Sequence, residues 1–186
     1  MCEIDGESGD PVRYGDGSII MSESDLVGGA YLIPWSHSRS YGNQVSLGSR
    51  AWNGNNWLTP QNEWLSFSGA SEIVLIKGMK NSLWFDLVGS TWVVRFGAHV
   101  TLTQNTGDKT YLLFNQNTGE SRVYFDNDSS WPAQQQGALK SITLAGGAAS
   151  TLSYDASTGN LLSYDFVQDS RSQRYVYAYG ANGLLS

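Results

Sequence analysis

The chain has few of the residue types that most often carry chemistry. Its 186 residues include one cysteine and two histidines, and only 15% of them are charged. Cys2 cannot form a disulfide within the chain and is predicted to be a free thiol in a poorly ordered N-terminus. His37 and His99 lie apart from each other and from any metal-spaced carboxylates, so we expect both to be packing residues in strands. The sequence therefore predicts neither a metal site nor a cofactor.

Basic residues and long apolar runs are also scarce. The chain has 11 lysines and arginines against 17 aspartates and glutamates, for a net charge of −6. The basic residues never cluster, whereas nucleic acids and anionic membranes require a basic surface. No apolar run is long enough to span a bilayer, and the first residues do not resemble a signal peptide. We therefore expect no nucleic-acid partner and no membrane insertion.

Glycine and aromatic residues are abundant instead, and they favour β structure. There are 21 glycines, 10 tyrosines and 7 tryptophans, and no window shows convincing helical periodicity. Glu72 to Lys77 is apolar enough for a buried strand, whereas the polar stretch from Ser22 to Val27 is predicted to lead into a break at Gly28-Gly29. The sequence predicts an all-β fold built from antiparallel hairpins. Further predicted features are a hairpin of Leu83–Leu87 with Thr91–Phe96 about Gly89-Ser90, and turns at Asn105-Thr106-Gly107 and Asn117-Thr118-Gly119.

The C-terminal part repeats itself at the length of one hairpin. Gly137, Gly159 and Gly183 each begin a Gly-x-Leu motif, at a spacing of roughly 20 to 25 residues. Polar turns precede the last two glycines, and alternating tyrosines and leucines precede the turns, as expected for a strand with one apolar face. The third copy stops soon after its glycine. We therefore expect the chain to be a fragment of a longer repeat protein.

Three regions follow from this pattern. Residues 1–10 are acidic and are predicted to be poorly ordered. Residues 11–130 are predicted to form a leading, irregular β segment that ends near the polar break at Asp126 to Gln136. Residues 131–186 are predicted to form the first regular repeats. The turn sequence Phe114–Gly119 resembles the repeat turn Tyr154–Gly159. The same type of turn is therefore predicted in both β regions.

Several short motifs resemble those of the Rhs/YD-repeat proteins, which include bacterial polymorphic toxins and teneurin-like surface proteins. Tyr154-Asp155 followed by Gly159-x-Leu161 is similar to the tyrosine-aspartate repeat, and Gly180 replaces the aspartate in the next copy. Motifs that resemble the segment preceding such repeats are Asp10-Pro11-Val12 with Gly17, Asp25-Leu26 with His37-Ser38-Arg39-Ser40-Tyr41, and Leu47-Gly48 with Trp52. The likeness spans about residues 10 to 186.

The resemblance implies a β-sheet that spirals into a hollow shell, with the repeats as successive hairpins of its wall. This chain would then be an open fragment of that larger β-cage, exported or displayed at the cell surface as part of its parent. Its partners would be the remainder of the shell, or another copy of the chain, through open strand edges. The predicted function is structural and non-catalytic: to enclose or support a cargo, or to present an interaction surface.

A carbohydrate-binding β-module is the alternative. Trp52 and Trp57 stand among asparagines and glycine, so exposed indole rings could stack on a glycan, although large aromatics more often pack in cores.

The sequence gives less support to a catalytic or metal site: no activated nucleophile is recognisable near His37 and its neighbouring serines. Asp126 to Ser130 resembles a calcium loop but lacks the required later glycine and glutamate. Carboxylates that could pair as in a glycosidase, but that sequence cannot place, are Glu63, Glu72, Asp86 and Glu120.

Overall fold

The computed structural model describes residues 12, 19–27, 36–43, 56–78 and 82–185. These residues form two antiparallel sheets and contain no α-helix, which confirms the predicted all-β class. The predictions for residues 1–10, Cys2, Gly17, Leu47-Gly48 and Trp52 lie outside the described ranges.

Fourteen strands are described. The smaller sheet contains β1 (Ile20–Val27), β2 (Ser36–Gly42) and β3 (Trp57–Leu58). The larger sheet contains eleven: β4 (Trp64–Phe67), β5 (Glu72–Ile76), β6 (Ser82–Val88), β7 (Thr91–Val94), β8 (Val100–Asn105), β9 (Thr110–Asn115), β10 (Ser121–Phe125), β11 (Leu139–Thr143), β12 (Ala149–Tyr154), β13 (Leu161–Gln168) and β14 (Arg171–Val176). Two 3₁₀ turns, Pro60–Asn62 and Arg95–Gly97, connect described strands.

The larger sheet is a sequential meander. Its strand order follows the chain from β4 to β14, and each strand pairs antiparallel with the next. The predicted hairpin about Gly89-Ser90 is confirmed as β6–β7, and the predicted turns at Asn105 and Asn117 connect β8 to β9 and β9 to β10. The predicted buried strand is β5, whose central residues Ile73, Val74 and Leu75 are buried.

The meander closes on itself at Gly137 and Ala138. These residues exchange backbone hydrogen bonds with Phe125 at the end of β10, and on their other side the Leu65 amide donates to the Gly137 carbonyl at 2.8 Å. Trp64 forms an antiparallel bridge with Ala138. Because the short segment lies between β4 and β10, strands β4 to β10 form a closed barrel, and β11 to β14 continue the sheet beyond it.

One face of the larger sheet carries the core. The cluster runs continuously from the barrel into the added strands, so the barrel and β11–β14 share one apolar interior. Fully buried members are Leu65, Ile73, Leu75, Phe85, Tyr124, Leu139 and Leu161. Leu139 and Leu161 are the leucines of the first two Gly-x-Leu motifs, which shows that the repeat supplies the core at each step.

The repeat turns have the same hydrogen-bond pattern. The Asp155 carboxylate accepts bonds from the Ser157 and Thr158 amides, and the Asn115 side chain accepts the same two bonds in the earlier turn. In both turns the glycine amide then donates to the carbonyl of that first residue. The likeness between these two turn sequences therefore reflects identical local structure.

The tyrosine that precedes each repeat turn is bonded to the strand that carries the previous Gly-x-Leu motif. The Tyr154 hydroxyl donates to the Leu139 carbonyl at 2.6 Å, and the Tyr179 hydroxyl donates to the Leu161 carbonyl at 2.8 Å. The acceptors are the leucines of successive Gly-x-Leu motifs. In the last turn, where Gly180 replaces the aspartate, Asn182 supplies the side-chain acceptor for the Leu184 amide.

One strand is longer than the sequence predicts and another is shorter. The polar stretch from Ser22 to Val27 forms most of β1, because pairing with β2 supplies backbone bonds and places Glu23 opposite Arg39. The break predicted after it, at Gly28-Gly29, lies outside the described residues. The strand predicted over Thr91–Phe96 ends at Val94, because Phe96 adopts a left-handed φ of 63° within the following 3₁₀ turn. That conformation is rare for a bulky residue and cannot continue a strand.

Candidate functional site

The open end of the barrel contains a cavity of about 640 Å³. Because alternate turns of a meander lie at the same end, the β4–β5, β6–β7 and β8–β9 turns surround it, together with Asn127 from the segment after β10. Its volume falls within the range of roughly 300 to 1,000 Å³ that is typical of small-molecule sites. The mouth of a β-barrel is also a common location for such sites.

Three aromatic side chains form one wall of the cavity. The ring centroids of Phe67 and Tyr111 are 5.8 Å apart, and those of Trp92 and Tyr111 are 6.2 Å apart in an edge-on arrangement. Tyr111 is only 4% exposed. Burial, followed by the negative charge of Asp126, raises the pKa of the Tyr111 hydroxyl, so it stays protonated and can donate a hydrogen bond.

The cavity has an apolar base and an uncharged polar rim. Ile73, Leu87 and Leu102 complete the apolar walls, and among the described residues no lysine, arginine, aspartate or glutamate lines the space. Hydroxyl and amide side chains lie at the turns around the opening, among them Thr91, Gln104 and Asn127. The geometry therefore suits an uncharged ligand that is apolar over most of its surface.

The opposite end of the barrel contains a buried ionic network. Glu63, which is 3% exposed, accepts a 2.6 Å hydrogen bond from the Arg122 guanidinium and another from the Tyr124 hydroxyl. Arg122 also binds Glu120 through its Nε. Burial alone would lower the pKa of Arg122, but the charge of Glu63 and the hydrogen bonds to Glu120 and Glu63 raise it above its ordinary value. Tyr124 has a raised pKa because of burial first and Glu63 second.

A second arginine bridges the other two candidate carboxylates. Glu72 and Asp86 are cross-strand partners, and the Arg95 guanidinium binds both at 2.6 Å. The hydrogen bond from Arg95 holds the pKa of Asp86 below its usual range. Arg95 also lies over the Trp84 ring, 5.3 Å from its centroid. The structure thus brings together Glu63 with Glu120, and Glu72 with Asp86, but each pair is bridged by an arginine at the place where a glycosidase would hold its substrate.

Trp57 lies in β3 with its ring in contact with two neighbours. The Arg39 guanidinium is 4.7 Å from the ring centroid, and the Tyr41 ring lies 5.4 Å away at a tilt of 52°. Arg39 is itself fixed by a bidentate ion pair with Asp25. The indole face that meets Arg39 is therefore covered by the protein's own guanidinium.

His37 is buried on β2, near the edge of the larger sheet. Its Nε2 is 3.8 Å from the Asp25 carboxylate, and its ring is 6.4 Å from that of Tyr177. Burial lowers the pKa of His37 despite the nearby carboxylate. The adjacent serines alternate with His37 along the strand, and Ser40 donates its hydroxyl hydrogen to the Leu58 carbonyl. The prediction for His99 is wrong, because this residue is exposed in the β7–β8 connection and lies outside any strand.

The loop that resembles a calcium site is held by a lysine. The Lys109 ammonium binds the Asp128 carboxylate at 2.9 Å, and hydrogen bonds from Ser130 and Lys109 hold the Asp128 pKa well below its usual range. Within the described ranges, no three histidine, cysteine, aspartate or glutamate side chains are grouped so that they could ligate a metal. No helix in the described part of the chain has the length and hydropathy needed to cross a bilayer.

Sequence reasoning did not single out Phe67, Trp92 or Tyr111. The available signal was the alternation of buried and exposed positions. Trp92 lies between the exposed residues Thr91 and Val93, and Tyr111 is followed by the exposed Leu112, although Thr110 before it is also buried. That signal predicts burial, but it does not reveal which buried aromatics border empty space. Comparison with protein-family models and with curated proteins finds no match to the chain.

Proposed function

We propose that this chain is a structural, non-catalytic β-scaffold, built to take further hairpins as part of an Rhs/YD-type shell wall. The observation that carries the proposal is the bond between successive units: a tyrosine hydroxyl of each repeat is held by the leucine carbonyl of the repeat before it. Such a bond recurs wherever a unit is added. It suits a wall that extends by stacking, and a single self-contained site has no need of it.

The position of the last strand supports the same proposal. Among the described residues, β14 pairs with β13 on one side only. A further Gly-x-Leu motif follows at Gly183, where Tyr179 bridges to Leu185 and starts another turn. The partners that we propose are the remaining repeats of a parent shell, or a second copy of the chain, at this edge. An exported or cell-surface location belongs to the proposal with the parent protein.

The carboxylates support a non-catalytic role. Each of the two candidate pairs is bridged by an arginine at hydrogen-bonding distance, so their charges stabilise the fold at the end of the barrel opposite the cavity and on β5–β7. The alternative, sugar binding at Trp52 and Trp57, has less support at Trp57, because Arg39 already lies over that ring.

Extending the repeat tests the proposal. A copy of residues 163–185 fused after Ser186 supplies the next strand pair, and the fusion should add protected amides and a higher midpoint of unfolding. A control fusion carries the same residues in scrambled order. An appended copy that exchanges its amides as fast as the scrambled one, with the rest of the protein intact, would contradict the proposal.

A further inference from the structure

We propose that the cavity at the open end of the barrel binds a small, uncharged aromatic molecule with one polar end, of the phenol or indole class. The cavity lies away from the β14 edge on which the scaffold proposal depends. A negative result for one proposal therefore does not affect the other. The argument rests on the shape of the cavity, on the distribution of its polar groups and on the Tyr111 hydroxyl.

The apolar base determines the class of ligand. Ile73, Leu87 and Leu102 face the same space as the rings of Phe67, Trp92 and Tyr111. A sugar ring in this space would place hydroxyls against aliphatic walls that offer them no hydrogen bond, which is costly. A planar aromatic ring has no such groups on its faces, and it can pack edge-on against Trp92 and Tyr111, as these two rings already pack against each other.

No charged side chain of the described part of the chain lines the cavity, which disfavours ionic ligands. A carboxylate or ammonium group in this cavity would lose water without gaining an ion pair. Asp126 does not line the cavity, and its charge makes the Tyr111 hydroxyl a poorer acid. The ligand is therefore neutral, and its polar end accepts hydrogen bonds or donates to uncharged groups.

Tyr111 provides the anchor for that polar end. The Tyr111 side chain is mostly buried and lines the cavity, but its hydroxyl is not one of the buried polar atoms that lack a partner, so it is open to solvent in the cavity. On the same inner face, the hydroxyls of Tyr124, Tyr154, Tyr164 and Tyr179 all donate to protein acceptors. A ligand acceptor that replaces water at this hydroxyl can form one direct hydrogen bond with it. The amide side chains of Gln104 and Asn127 at the rim can bind a donor on the same ligand.

The test is a titration of the full chain with phenol, indole, benzene and methyl β-glucoside, followed by amide and methyl NMR shifts. We expect phenol and indole to shift resonances of the cavity residues, and to bind more tightly than benzene. Tyr111→Phe should weaken phenol binding by about threefold to tenfold, the effect of one hydrogen bond. Tyr164→Phe is the matched control, because its hydroxyl lies on the same face but is bound to Ser150, and phenol should bind it as tightly as the unaltered chain.

A second variant tests the location without touching the core. Ala70→Trp fills the rim of the cavity from an exposed turn, and it should abolish phenol and indole binding. Ser170→Trp, at another exposed turn residue, is the control and should leave phenol and indole binding unchanged. Saturable binding of the glucoside in place of phenol, no binding of phenol or indole, or equal binding of phenol to the chain and to Tyr111→Phe would each overturn the proposal.

Discussion

Gly137 lies where two distant parts of the sheet meet, and its lack of a side chain permits the contact. Its φ is +77°, in the left-handed region, and a Cβ at this position would lie 2.0 Å from the Leu65 carbonyl oxygen. The contact atom belongs to the backbone of β4, so it cannot rotate away as a flexible side chain could. The first glycine of the repeat is thus also the residue at which the barrel closes.

Gly137→Ala should therefore destabilise the protein by roughly 2 to 5 kcal/mol, from the left-handed backbone and the clash together. Gly183→Ala is the control. Its φ is +75°, but no atom lies within 4 Å of the added Cβ. Only the left-handed backbone then opposes the alanine, so the free energy of unfolding should fall by about 1 kcal/mol. Urea unfolding midpoints of the two variants measure the difference. Equal losses would show that the close approach to Leu65 has no energetic role.

At the scale of elements, the repeat turn depends on one side-chain acceptor. Asp155 accepts hydrogen bonds from two backbone amides and from the hydroxyls of Ser157 and Thr158. These bonds hold its pKa down to about 2, from an ordinary value of 3.8. Because the folded value is the lower one, the charged carboxylate stabilises the turn above about pH 4, and that stabilisation is lost as the pH falls through 2.

Asp155→Ala should lower the unfolding temperature at pH 7, whereas Asp155→Asn should lower it less, since Asn115 makes the same two backbone bonds in the equivalent turn. The difference in unfolding temperature between the unaltered chain and Asp155→Asn should shrink as the pH is lowered from 4 to 2, because the aspartate becomes protonated and the asparagine does not titrate. Thermal unfolding followed by circular dichroism at several pH values gives the comparison. An advantage that stays constant over this range would count against a charged acceptor in the turn.

The elements that sequence could predict are those fixed by near neighbours. The turns at Asn105, Asn117 and Asp155, and the buried strand β5, follow from turn residues and apolar runs alone. The polar part of β1, from Ser22 to Val27, gives no strand signal in the sequence because it is stabilised by β2, through the ion pair of Asp25 with Arg39. A strand that is held by a partner elsewhere in the chain gives no local apolar signal.

The candidate sites required contacts that sequence spacing does not contain. Glu63 meets Arg122 only because β4 returns to the strand after β10, and the closure at Gly137 is likewise a contact of distant segments. The cavity depends on the same closure, since Phe67 comes from β4 and Tyr111 from β9. The candidate carboxylates can be identified in the sequence by residue type. That arginines bridge them is visible only in the folded structure.

At the scale of the whole molecule, the sheet consists of a closed part and an extended part. Strands β4 to β10 surround an interior, with ionic contacts at one end and an aromatic cavity at the other. Strands β11 to β14 are added in chain order, each contacting its sequence neighbours. In such an arrangement, stability depends on neighbouring units, and the strand farthest from the barrel has the least support.

Native-state hydrogen exchange tests this account most directly. Amides of β14 should open at the lowest free energy, those of β13 and β12 at higher values, and those of β4 to β10 together at the free energy of global unfolding. Mild denaturant should leave this order unchanged. Amides of β14 that exchange only through global unfolding, in step with those of the barrel, would show a single indivisible unit and would contradict the serial scaffold.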